Sequence, residues 1–73
     1  MLTDAQLDAL VLVMLRAGPV RLADVRRELG IDRQCAARII LRLTYTCPQL
    51  YEQDDADGIT VYLLDLANLD RVQ

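Results

Sequence analysis

Lysine, histidine, phenylalanine and tryptophan are absent from the 73 residues; three tyrosines are the only aromatic side chains, and all eight basic residues are arginine. Without histidine, and with cysteine only at positions 35 and 47, one chain cannot assemble a zinc or haem site. Cys35 and Cys47 therefore read as packing residues. A disulfide between them is the alternative, and it would require an oxidising compartment. With no histidine, no nucleophile beside an evident base and no phosphate-cradling glycine loop, the chain is not expected to be an enzyme or to use a cofactor. The longest apolar run, 9–15, falls far short of the ~20 residues that a membrane span needs. Acidic rather than basic residues precede it, so it does not read as a secretory signal either. The expectation is a cytoplasmic protein with no membrane partner.

What is present is aliphatic. Hydrophobic residues make up 53% of the chain, so its core has to be built from Leu, Val, Ile and Ala. A chain of this length buries only ~60% of its unfolded surface, which supports one core and hence one domain over 1–73. The net charge of −3 hides a segregation along the chain. Residues 1–15 carry Asp4 and Asp8, for −2. Residues 16–42 carry seven arginines against Asp24, Glu28 and Asp32, for +4, whereas 43–73 carry Arg71 against six acids, for −5.

Thr3 and Gln6 form a reciprocal capping pair at the start of a helix predicted over about 4–17, which Gly18-Pro19 ends with a left-handed glycine cap. Leu7, Leu10, Val11, Met14 and Leu15 make its core stripe. Leu12 and Val13 fall outside that stripe, and this surplus suits burial against a second copy. Val20-Arg21-Leu22 is a short extended link. A helix follows over about 22–29, with Val25 and Leu29 inward and Arg26, Arg27 and Glu28 outward, and Gly30 stops it. Asp32 caps a third helix over about 32–46, which Cys47-Pro48 closes; its threonines and Tyr45 favour a frayed last turn. From Gln49 the period becomes two, and a β-hairpin is predicted over about 50–64, with Asp57-Gly58 supplying the positive-φ residues of its turn. A short tail of helical turn or strand follows.

Leu29-Gly30-Ile31-Asp32-Arg33-Gln34-Cys35-Ala36-Ala37-Arg38-Ile39-Ile40-Leu41-Arg42-Leu43 resembles the winged helix-turn-helix family of bacterial and phage DNA-binding transcription regulators. In that family an aliphatic glycine turn precedes a capped helix whose early polar residues enter the major groove. The resemblance in element order covers about 3–64. It implies a mainly helical α+β fold: a three-helix helix-turn-helix core followed by a two-stranded hairpin wing. It also implies transcription regulation through double-stranded DNA.

The spacing by itself places Ala36, Ile39, Ile40 and Leu43 on one face, with Ile31 just before them, and leaves Arg33, Gln34, Ala37, Arg38 and Arg42 outside. Arginine bonds guanine bidentately and glutamine does so to adenine, so Arg33, Gln34 and Arg38 are the candidate base readers. Arg21, Arg26, Arg27 and Arg42 suit phosphates, which position a protein without reading sequence. The competing reading is that these arginines solvate a surface and pair with Asp24, Glu28 and Asp32. Asp54, Asp55 and Asp57 at the hairpin tip depart from the family, because phosphate repels them. They read as turn formers or as an acidic surface for a protein partner. They lack the spaced ligands and closing Glu of a calcium loop, so no metal is expected.

Two functions follow. The first is a homodimeric DNA-binding regulator with Leu12 and Val13 at its dimer interface. The second is a winged-helix interaction module, a small subunit or inhibitor, that binds no DNA.

Overall fold

The computed structural model describes residues 2–65, so the predicted tail beyond Asp65 lies outside the described residues. Helix α1 runs Asp4–Ala17, strand β1 Val20–Arg21, helix α2 Leu22–Leu29, helix α3 Arg33–Thr46, strand β2 Leu50–Asp54 and strand β3 Thr60–Leu64. The fold is thus α+β and mainly helical, with three helices and a three-stranded antiparallel sheet in the order β1-β3-β2. None of the described helices is long and apolar enough to cross a membrane.

Local chemistry sets most of these boundaries. Thr3 Oγ1 accepts from the Gln6 amide at 3.2 Å, and Gln6 Oε1 accepts from the Thr3 amide at 2.8 Å, closing the box that starts α1. Asp24 accepts from the Arg21 amide at 2.9 Å at the start of α2. Asp32 Oδ1 caps α3 by accepting from the Cys35 amide at 2.8 Å. Between α2 and α3, Gly30 takes φ +63° and ψ +38°, the left-handed conformation that lets its own amide and that of Ile31 turn back to the Arg26 carbonyl. Gly18 differs from the expected left-handed cap. At φ +157° and ψ −172° it is nearly extended, and it passes the chain directly into β1. The last turn of α3 stays helical, with Thr44 and Thr46 hydroxyls donating to the carbonyls of Leu41 and Arg42.

The expected link at Val20 is a strand. Val20 pairs with Tyr62 and Arg21 with Val61, so the hairpin becomes the larger part of a three-stranded sheet. In the hairpin, Leu50 lies opposite Leu64 and Asp54 opposite Thr60, leaving 55–59 as the loop. Gly58 alone supplies the positive φ there, at +76°; Asp57 does not, because the loop spans 55–59 and only a two-residue turn needs positive φ at both central positions.

Val11, Val25 and Ile39, one from each helix, are the largest fully buried side chains. Around them close Leu7, Leu15, Val20, Ala36, Ile40, Leu43, Leu50 and Leu64, with Cys35 and Cys47 packed at the edge as free thiols. The inward faces expected for α2 and α3 are those observed. In α1 the stripe is narrower: Leu7, Val11 and Leu15 are buried, whereas Leu10 is 41% exposed. Leu12, expected outside, is partly buried against the core. At ~100° per residue, Leu10 and Leu12 lie equally far from the buried axis of the helix on opposite flanks. Helix α3 covers the flank that holds Asp8 and Leu12, since Arg42 of α3 bonds Asp8.

Truncating Ile39 removes packing from all sides at once. Ile39→Ala is expected to lower unfolding stability by about 2–5 kcal/mol, whereas Leu41→Ala on the exposed side of the same helix shifts it by under about 0.5 kcal/mol. Urea denaturation of the two variants measures the contrast.

Candidate nucleic-acid interface

One side of α3 is covered by the core, and the other offers Arg33, Gln34, Ala37, Arg38, Leu41 and Tyr45, all exposed. The first two turns of this face are polar and basic. The remainder is apolar, with Leu41 56% and Tyr45 83% exposed. Residues four and eight beyond Ala37 fall on its stripe, so the spacing alone carried this signal, although Leu41 and Tyr45 were not singled out by it. Among the described residues, Arg26, Arg33 and Arg38 make no ion pair. Arg33 also borders a cleft of about 320 Å³ beside Arg21, Leu22, Ala23, Ile59 and Thr60, so it stands where α2, α3 and the loop end of the hairpin meet.

The other arginines assigned to phosphate are occupied. Arg42 points not to solvent but across to α1, where its Nε and Nη2 donate to both Asp8 oxygens at 2.7–3.2 Å. That bidentate bond raises the Arg42 pKa above its ordinary value. The side chain is only 30% exposed. Arg27 pairs with Asp24 at 2.8 Å, within α2. Bonds from the Arg21 amide and then from Arg27 hold the Asp24 carboxyl below its usual range, although partial burial opposes them. Arg21 donates to Asp55 across to the hairpin. Of the acids expected to pair with arginine, only Asp24 does so among the described residues; Asp32 is spent on its cap, and the long-range partners are Asp8 and Asp55.

Asp55 is not free for a protein partner. Its Oδ1 accepts from the amides of Asp57 and Ile59 at 2.8 and 3.0 Å, and its Oδ2 accepts from Arg21. It is the internal clasp of the loop, and these bonds hold its carboxyl below the usual aspartate range despite some desolvation, the Ile59 amide contributing most. Asp54 accepts from the Thr60 hydroxyl at 3.2 Å, and Asp57 remains exposed. On α1 the candidate dimer residues separate: Val13 is 64% exposed, whereas Leu12 is turned toward its own core, and Leu10 takes its place on the open side.

The depressed pKa of Asp55 ties hairpin stability to pH. Its contribution is complete above the ordinary value of 3.8 and is lost as pH falls through the lower folded value. Asp55→Asn keeps an acceptor for the loop amides but loses the charge. It is expected to melt below the parent protein near pH 7 and to converge with it near pH 2, in thermal scans by circular dichroism. A gap of equal size at both ends would show that the charge is not what clasps the loop.

No family model matches the chain, and no curated protein or solved structure matches it either, so what its surface binds has to be argued from these residues.

Proposed function

We propose that this chain is a small cytoplasmic DNA-binding protein of the winged helix-turn-helix kind, acting in transcription regulation as a homodimer. The observation that carries this reading is the first half of the exposed α3 face. Arg33, Gln34 and Arg38 stand there in the open, and neither arginine is held by a carboxylate among the described residues. Helix, short strand, two helices and a hairpin, with β1 joined to β3, is an arrangement that suits it. Arg33 and Arg38 would meet guanine edges and Gln34 adenine, with Ala37 against the groove floor. Arg26 at the exposed side of α2 is left for phosphate, whereas Arg21, Arg27 and Arg42 would each have to leave an aspartate to join it.

With so few phosphate contacts one copy would bind weakly, and a second recognition helix one helical turn of DNA away multiplies the effect. Leu10 and Val13 form the exposed apolar pair of α1 to which the second copy is assigned. A second reading, an interaction module that binds protein, is favoured by a different observation: Leu41 and Tyr45 continue the same α3 face as apolar surface.

Fluorescence polarisation against random duplex DNA over a salt series tests the first reading. Binding is expected to weaken steeply with salt. On a duplex selected from that random pool, Arg38→Ala should reduce affinity by roughly 10–100-fold, the worth of one bidentate base contact, while leaving the melting temperature in place. Absence of binding at low salt would refute DNA recognition. In parallel, Val13→Asp is expected to convert a dimer to a monomer by light scattering.

A further inference from the structure

Strand β2 is an edge: it pairs with β3 on one side, and no described strand pairs with the other. Its open side carries a row of backbone donors and acceptors. Beside that edge, between the sheet and α3, lies a cleft of about 390 Å³. Ala37, Leu41 and Thr44 line it from the helix, and Leu50, Tyr51 and Glu52 from the strand. Most of this lining is apolar, and Tyr51 and Leu41 are 46% and 56% exposed.

The two features belong together geometrically. Alternate side chains of a strand point to the same face, so a strand added beside β2 would direct every second side chain into the cleft. Leu50 and Glu52 line it with that spacing, and Tyr51 between them borders it as well. Glu52 is the only charged residue of the lining and makes no ion pair among the described residues. Its field reaches Tyr62 in the same cleft, whose phenol is pushed up first by burial and then by this carboxylate.

We propose that the β2 edge and its cleft receive an extended segment of a partner protein, with apolar side chains at alternate positions and an arginine or lysine among them facing Glu52. Charge disfavours a second copy centred on Glu52 and disfavours nucleic acid. A second copy pairing symmetrically through β2 would set Glu52 against Glu52 at the centre of the strand, a like-charge pair that destabilises a sheet. Nucleic acid would bring phosphate to Glu52 and Asp54. The surface leaves out Arg33, Gln34 and Arg38 but shares Ala37 with the face assigned to DNA, so a bound segment and a bound duplex would compete for that part of α3.

A phage-displayed random nonapeptide library, panned on the intact protein without DNA, provides the probe. Enrichment of alternating apolar residues with one interior arginine or lysine is expected. The selected peptide, made synthetically, should bind about fivefold more weakly to Glu52→Arg, as expected for loss of one partly exposed pair. The same peptide with its basic residue replaced by glutamate should show the reverse preference. Methylating alternate backbone nitrogens should weaken binding roughly tenfold or more, because the edge bonds are lost. Circular dichroism establishes that Glu52→Arg is folded. The proposal is overturned by no enrichment, by an unchanged consensus on Glu52→Arg, by indifference to backbone methylation, or by self-association in sizing experiments that survives Val13→Asp and is blocked by methylating the β2 edge partner or by Glu52→Arg.

Discussion

The meeting of Val11, Val25 and Ile39 is the constraint on which the rest of the molecule depends. Each helix contributes one fully buried aliphatic side chain to it. With no Phe or Trp available, no single large ring spans the interior, and the helices have to approach until branched aliphatics touch. That approach fixes the rotation of every helix about its axis. Once Ile39 points inward, Arg33, Gln34 and Arg38 are carried outward; once Val11 does, Val13 is left in solvent and α3 can cover only one flank of α1.

Charge is arranged around this centre rather than within it. Two of the three ion pairs among the described residues, Asp8–Arg42 and Arg21–Asp55, each join segments 34 residues apart. Partly exposed pairs of this kind contribute little free energy, but they select orientation: one sets α1 against α3, and the other ties the hairpin loop to the start of α2. They also subtract from the basic segment. Seven arginines between residues 16 and 42 look like a broad cationic patch in the chain, yet three of them are matched to aspartate in space. The basic surface is consequently narrower than the sequence suggests, and it is concentrated at the beginning of α3.

Features governed by near neighbours were legible in the sequence. The caps at Thr3 and Asp32, the stop at Gly30, the inward set Ala36, Ile39, Ile40 and Leu43 and the place of the hairpin all depend on contacts within a few residues or on one helical period. Features that needed a distant partner were not. Val20-Arg21 is too short to declare itself a strand and becomes one only because Val61 and Tyr62 arrive beside it. Leu10 and Leu12 are symmetric about the stripe of α1, so periodicity could not tell which α3 would cover. Asp55 looked like one of three equivalent turn aspartates until its bonds to Asp57, Ile59 and Arg21 distinguished it.

The sequence by itself determined an aliphatic helical core with a terminal hairpin, the polarity of α3 along its length and the exclusion of histidine-based chemistry. These follow from composition and from periods of 3.6 and two, which act locally. Tertiary structure alone decided which arginines keep their charge available, which flank of α1 stays open, and that β2 rather than β3 forms the long edge beside an apolar cleft. Each of those outcomes depends on elements far apart in the chain being brought into contact, and the long-range distances that settle them are not encoded in any local pattern.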